Sequence, residues 1–122
     1  MKKILIVEDE KSLLEALNLK FSGEGFEVIQ AKDGIEGLES ALAKRPDLIL
    51  LDIIMPRMDG ITMLKRLREY DWGKDVPVIL LTNLGDSEKI AEVMEYGVYD
   101  YLVKAEWKME ELVERVKGRL NI

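Results

Sequence analysis

The sequence contains no cysteine and no histidine. The first absence excludes disulfides, zinc–thiolate sites and thiol nucleophiles. The second removes the commonest general base and the commonest metal-ligating side chain, and with them any Ser-His-Asp or Cys-His arrangement. Positive charge is scarce as well: 18 Lys and Arg stand against 24 Asp and Glu, a net charge of −6. A phosphate backbone needs a basic face, so direct nucleic-acid binding is not expected. Long apolar runs are also missing. Met1-Lys2-Lys3 before Ile4–Val7 imitates the start of a signal peptide, but the run stops at Glu8 and no stretch is long enough to span a bilayer. A cytoplasmic protein without membrane association is the expectation, with its chemistry left to Asp, Glu, Lys, Ser, Thr and Tyr.

A chain of 122 residues that is 48% hydrophobic fits one domain over residues 1–122, with no output domain visible. Its apolar runs are short: Ile4–Val7, Leu48–Leu51, Val76–Leu81, Tyr101–Val103 and, more weakly, Phe26–Ile29. Runs of continuous rather than alternating apolarity suit strands covered on both faces. Between them lie stretches of helical spacing: Leu13, Leu14, Leu17 and Phe21; Ile35, Leu38, Ala41 and Leu42; Ile61, Leu64 and Leu67; Ile90, Val93, Met94 and Gly97; and Met109, Leu112, Val113, Val116 and Leu120. Gly23 and Gly25 flank the end of the first helix. Asp33 and Glu36 read as a capping box. Asp59 caps the third helix, and Asp86 or Ser87 the fourth. In the last helix Glu110, Glu111 and Glu114 precede Arg115, Lys117 and Arg119, the order the helix dipole favours. Residues 71–75 read as a loop. Five strands alternating with five helices predict an α/β fold with a parallel sheet, whose sites form at the carboxyl ends of the strands.

Those ends carry Glu8, Asp9 and Glu10, then Asp52, Thr82 and Lys104. Polar residues end strands in any protein, so one aspartate there says little. The set says more. If the first and third strands are neighbours, Glu8, Asp9 and Asp52 converge, and carboxylates about 5 Å apart repel by roughly 3 kcal/mol per pair at an effective dielectric near 20. Such a cluster takes up a proton, pairs with a cation or binds a metal. An all-oxygen site with few ligands suits Mg²⁺, often together with a phosphate. Asp52 is then a plausible nucleophile, with Lys104 and the Thr82 hydroxyl holding phosphoryl oxygens. Tyr101, read from spacing alone, is a core aromatic on a strand.

The segments Ile4-Leu-Ile-Val-Glu8-Asp9-Glu10, Asp52-Ile-Ile-Met-Pro56-Arg-Met-Asp59-Gly60, Thr82 and Asp100-Tyr101-Leu-Val-Lys104 together resemble the receiver domain of two-component response regulators, over essentially the whole chain. The resemblance implies a doubly wound, flavodoxin-like sheet of order 2-1-3-4-5 and a CheY-like signalling switch rather than an enzyme acting on other molecules. It implies Asp52 as phosphoacceptor, and Mg²⁺ held directly by Asp9, Asp52 and the backbone carbonyl of Ile54, with Glu8 acting through water. Thr82 and Lys104 would contact the phosphoryl group, and Tyr101 would turn inward when Thr82 moves. The donor would be a phosphohistidine on a sensor histidine kinase or phosphotransfer protein. The face of the fourth helix, fifth strand and fifth helix would be read by a downstream protein, with the chain a monomer or a phosphorylation-dependent homodimer.

The sequence departs from the family pattern at Ala105, where a proline usually follows the lysine, often with a cis bond, and at Asn83, where a very small residue is usual. Asn83 and the apolar side chain of Ile54 lead to an expectation of slow phosphoryl loss. Three other functions compete. A haloacid-dehalogenase-type phosphatase would need a second Asp two residues after the nucleophile, where Ile54 stands. A flavodoxin would need a Ser/Thr/Gly-rich phosphate loop where Glu8-Asp9-Glu10 stands. A receiver-like module that is never phosphorylated would draw only on Ala105 and Asn83.

Overall fold

The computed structural model describes residues 1–82, 87–98, 100–104 and 107–122. In chain order the elements are β1 (Lys3–Val7), α1 (Lys11–Gly23), β2 (Glu27–Ala31), α2 (Gly34–Lys44), β3 (Leu48–Asp52), α3 (Gly60–Leu67), a 3₁₀ turn (Trp72–Lys74), β4 (Val78–Thr82), α4 (Ser87–Met94), β5 (Asp100–Val103) and α5 (Met109–Leu120). All strand pairs are parallel and the order is β2-β1-β3-β4-β5. This is the doubly wound sheet the sequence predicts.

Every residue of β3 and of β4 is buried. The reason is their place in the middle of the sheet, with a helical layer on each face. Successive side chains of a strand point to opposite faces. Leu5, Val7, Ile49, Leu51, Val78 and Leu80 therefore join Ala41, Met63, Leu64, Leu67 and Val93, beneath α2, α3 and α4. Ile4, Ile6, Leu48, Leu50, Ile79 and Leu81 join Leu14, Leu17, Phe21, Leu112, Val113 and Val116, beneath α1 and α5.

Several expectations are corrected in detail. β2 runs from Glu27 to Ala31 rather than from Phe26 to Ile29. Of the expected stripe on α2, Ala41 is buried and Leu38 is half-buried against the core, and the other buried residues are Gly34 and Gly37. A Cβ on Gly37 would lie 2.8 Å from the Met63 sulfur and 2.9 Å from Val7 Cγ1, so the helix packs here through its backbone. In α4 only Val93 of the expected stripe is buried; Met94 is 39% exposed and Gly97 lies beyond the helix at φ 80°. Residues 72–74 form a 3₁₀ turn, not an irregular loop. Gly25, at φ 93°, is the glycine that the turn after α1 requires.

The caps are largely as expected. Asp33 Oδ1 accepts from the Glu36 amide at 2.8 Å, and Asp59 Oδ1 from the Thr62 amide at 2.7 Å. The reciprocal half of the capping box is displaced by one residue: the Lys32 amide, not that of Asp33, donates to Glu36 Oε1 at 3.3 Å. Asp86, an expected cap of α4, lies outside the described residues.

Arg68, the residue that caps the carboxyl end of α3, ties three chain segments together. Its Nε donates to the Tyr96 carbonyl at 2.8 Å, and its Nη1 donates to the carbonyls of Gly73 at 2.7 Å and Val76 at 2.9 Å. All three acceptors are backbone oxygens in the connections that lead into β4 and β5.

Candidate functional site

Parallel pairing brings the ends of β1, β3, β4 and β5 to one edge. Val7 pairs with Leu51 and Asp52 with Leu81, so Glu8 and Asp9 emerge beside Asp52. Carboxylate oxygens of Glu8, Asp9 and Asp52 all lie within 4.8 Å of one another. Glu8 and Asp52 are buried, and Asp9 is exposed. The convergence expected from neighbouring first and third strands is thus present.

Lys104 follows β5 directly, and its amide donates to the Thr82 carbonyl at 2.6 Å. That bond aims the side chain back over the strand ends. Its ammonium donates to Glu8 Oε1 at 2.9 Å and Oε2 at 3.1 Å, and it pairs with Asp52 Oδ2 at 3.1 Å. One lysine therefore serves two of the three carboxylates.

The electrostatics follow from burial. Desolvation pushes Glu8 up to about 7, and its hydrogen bond and repulsion with Asp52 add to this while Lys104 opposes it. Burial also raises Asp52, against the lowering effects of Glu8 and Lys104. The carboxyl–carboxyl hydrogen bond acts in opposite senses on the two groups, raising Glu8 and lowering Asp52. Burial alone would lower Lys104, but its bonds to Glu8 and Asp52 outweigh that, and it is held charged.

Thr82 is buried at the end of β4, beside Asp52 in the next strand, and its hydroxyl donates to the Leu102 carbonyl at 3.4 Å. Tyr101 sits on β5 opposite Leu80 and is 38% exposed. Its reading as a core aromatic is therefore corrected: β5 is an edge strand, and Leu102 is the residue it turns into the core. Ile54 presents its side chain to solvent, 52% exposed, in the loop after Asp52. Asn83, Ala105 and the Lys104–Ala105 bond lie outside the described residues. A cavity of about 450 Å³ opens away from the carboxylates, along β5, Trp107 and α5.

The sequence reading gave Gly60 and Arg57 no particular role, yet both shape this edge. A Cβ on Gly60 would fall 2.0 Å from the Asp52 carbonyl oxygen, and the Gly60 amide donates to the Ile53 carbonyl at 2.7 Å. Arg57 Nη1 donates to Asp33 Oδ2 at 3.0 Å. The long separation of Arg57 and Asp33 in the chain hides that pair from any local pattern.

The sheet order and the acidic edge are those that the resemblance to receiver domains implies. Residues 4–117 match the response regulator receiver domain. The chain belongs to that family. It is 37% identical over 121 residues to the DNA-binding dual master transcriptional regulator RpaA of Synechocystis, covering 99% of this chain and 50% of RpaA. It spans about half the length of the curated relatives it matches. Among solved structures, the CheY-like receiver domain protein of Methanospirillum hungatei superposes with a TM-score of 0.90 at 28% identity, covering 99% of this chain and 94% of that one. The CheX–CheY–BeF3–Mg²⁺ complex of Borrelia burgdorferi gives 0.86 at 31% identity, covering 98% and 89%. Among the described residues no helix is long and apolar enough to cross a membrane.

Proposed function

We propose that Asp52 accepts a phosphoryl group from a phosphohistidine of a sensor histidine kinase or phosphotransfer protein, with Mg²⁺ bound at the carboxylate cluster. The observation that supports this best is the convergence of Glu8, Asp9, Asp52 and Lys104 on one strand edge. The donor set fits a hard divalent cation: three carboxylates gather around one ammonium, so about two negative charges remain uncompensated. Asp9, Asp52 and the Ile54 carbonyl would hold the ion directly and Glu8 through water. Once bound, the ion supplies neutralisation of the charge on the phosphoryl oxygens.

The step itself is a displacement. An Asp52 Oδ attacks phosphorus, the new O–P bond forms as the donor's P–N bond breaks, and the leaving imidazole nitrogen keeps the electron pair and takes a proton from solvent. Lys104 gives up its contact with Glu8 to hold a phosphoryl oxygen, and Thr82 turns its hydroxyl from the Leu102 carbonyl to another. Catalysis by these residues is placement and electrostatics. Movement of Thr82 leaves room for Tyr101 to turn inward, which alters the face of α4, β5 and α5 that a downstream protein reads. The Borrelia relative solved with BeF3 and Mg²⁺ supports pairing these two groups at such a site. RpaA is named DNA-binding, but it is about twice as long, and this acidic segment is proposed to act through protein contacts.

Incubation with Mg²⁺ and acetyl phosphate is expected to add one phosphoryl mass to the intact protein, with none in Asp52→Asn or in the presence of a chelator. Absence of any gain, from this donor and from a phosphohistidine protein, would overturn the reading in favour of a non-phosphorylated interaction module.

Slow hydrolysis is a second expectation. Ile54, exposed two residues after Asp52, offers no polar group to orient an attacking water. The phosphorylated chain should outlast free acetyl phosphate in the same buffer when its mass is followed over time. An equal or shorter half-life removes this role for Ile54.

A further inference from the structure

Asp33 lies at the start of α2, outside the carboxylate cluster, and yet its side chain is only 3% exposed. Its two oxygens have separate tasks: Oδ1 caps α2 through the Glu36 amide, and Oδ2 receives Arg57 Nη1 at 3.0 Å. Arg57 is itself unusual. Its φ is 66°, in the left-handed region, and the Met58 amide donates to the Pro56 carbonyl at 2.7 Å across it. A three-residue turn with a positive central φ is a rare and strained conformation, and arginine lacks the freedom of glycine to adopt it. Backbone contact holds the same turn on α2: the Gly34 amide donates to the Met58 carbonyl at 2.9 Å. The far end of the loop is fixed by the Gly60 amide on the Ile53 carbonyl at 2.7 Å. Ile54 lies between these anchors, and the Mg²⁺ site proposed above needs its carbonyl at the strand edge.

We infer that Asp33 is a positioning residue for the metal site: by holding Arg57 in its strained turn it fixes the loop 53–60 and with it the carbonyl of Ile54. The inference rests on the Mg²⁺ site proposed above. Strained backbone persists where surrounding structure over-determines it, and here a buried carboxylate adds the one side-chain contact described for Arg57 to the backbone bonds at Gly34 and Gly60. Nothing in the turn demands an arginine for stability alone, since glycine would occupy φ 66° without strain.

The test is Mg²⁺ titration by calorimetry on the full chain and on Asp33→Asn, Arg57→Gly and Arg57→Lys. Asparagine keeps the helix cap and glycine relieves the turn, so melting temperatures should stay close to that of the wild type. Both variants are expected to weaken Mg²⁺ binding by about 10-fold, the low end for outer partners of metal ligands. Arg57→Lys, which can still reach Asp33, should stay within about 2-fold of wild type on the same scale. The two charge changes have opposite signs, so a purely Coulombic effect would move Mg²⁺ affinity in opposite directions in Asp33→Asn and Arg57→Gly. Opposite shifts, or unchanged affinity in either variant, overturn the positioning role. A wild-type chain that takes up no Mg²⁺ fails at the earlier step and removes the metal site itself; a wild type that binds beside unaltered variants removes only the role of Asp33.

Discussion

Replacing Gly60 with alanine is expected to destabilise the protein by about 3 kcal/mol or more and to abolish phosphorylation of Asp52. The added Cβ would lie 2.0 Å from the Asp52 carbonyl oxygen, 3.0 Å from the carbonyl carbon and 3.1 Å from Ile53 Cα. All three are backbone atoms, so no rotamer change relieves the overlap. Either the loop between Asp52 and α3 moves away, breaking the bond from the Gly60 amide to Ile53, or Asp52 leaves its place beside Glu8 and Lys104. Gly118→Ala is the matching control. Gly118 sits inside α5 with nothing within 4 Å of its added Cβ, and alanine there should stabilise by up to about 1 kcal/mol. Urea denaturation of both variants gives the two signs, and intact mass gives the phosphorylation. A Gly60→Ala chain within about 1 kcal/mol of wild type that is still phosphorylated normally would show the loop to be soft.

Arg68→Ala is expected to cost about 3 kcal/mol, a loss of roughly 10 °C in melting temperature for a chain of this size. The guanidinium is partly buried, which lowers its pKa from the usual arginine value, with Asp75 opposing from a distance. Its hydrogen bonds all go to carbonyls, those of Tyr96, Gly73 and Val76. The Tyr96 carbonyl lies just beyond α4, so a cation there also complements the negative end of that helix. Truncation leaves these acceptors to water that must enter a closed corner. Arg68→Lys should recover less than half of the loss, because one ammonium cannot reproduce the fork. Thermal denaturation of the two variants decides this, and a lysine variant as stable as wild type would mean that charge alone matters at this corner.

The fold was legible because its central strands are extreme cases. Leu48–Leu51 and Val76–Leu81 are apolar throughout, and only a strand covered on both faces tolerates that. β2 was placed less well because it is an edge strand. Gln30 faces outward at its end, and the pattern weakens where one flank meets solvent. α2 was legible only in part, for another reason. Ala41 and Leu38 meet the core as their spacing predicts, but that face is completed by Gly34 and Gly37, where the neighbouring chain approaches too closely for a Cβ. Hydrophobic periodicity reports burial of large side chains and is silent about close packing through small ones.

At the site, Glu8, Asp9, Asp52 and Lys104 could be read from where the strands end, since parallel topology makes every strand end converge. The pairing of Lys104 with both Glu8 and Asp52 could not, because it depends on how the chain after β5 folds over. Asp33 was visible only as a helix cap, and Arg57 only as a residue within the Asp52–Gly60 motif. Their contact joins two loops on one edge, which no spacing within either segment encodes.

The alternation along β1 has a consequence for how this family of sequences can change. Ile4 and Ile6 serve the layer under α1 and α5, Leu5 and Val7 the layer under α2, α3 and α4, and the next residue is Glu8. A single deletion within β1 would exchange the two sets of side chains between layers and carry Glu8 and Asp9 to the wrong side of the edge. Identity at each of these positions can drift among branched apolar residues at small cost, whereas length cannot drift at all. Insertions and deletions accepted during divergence must therefore fall in the connections, and the spacing from β1 to its acidic pair is the part of the chain that ancestry should have left uncut.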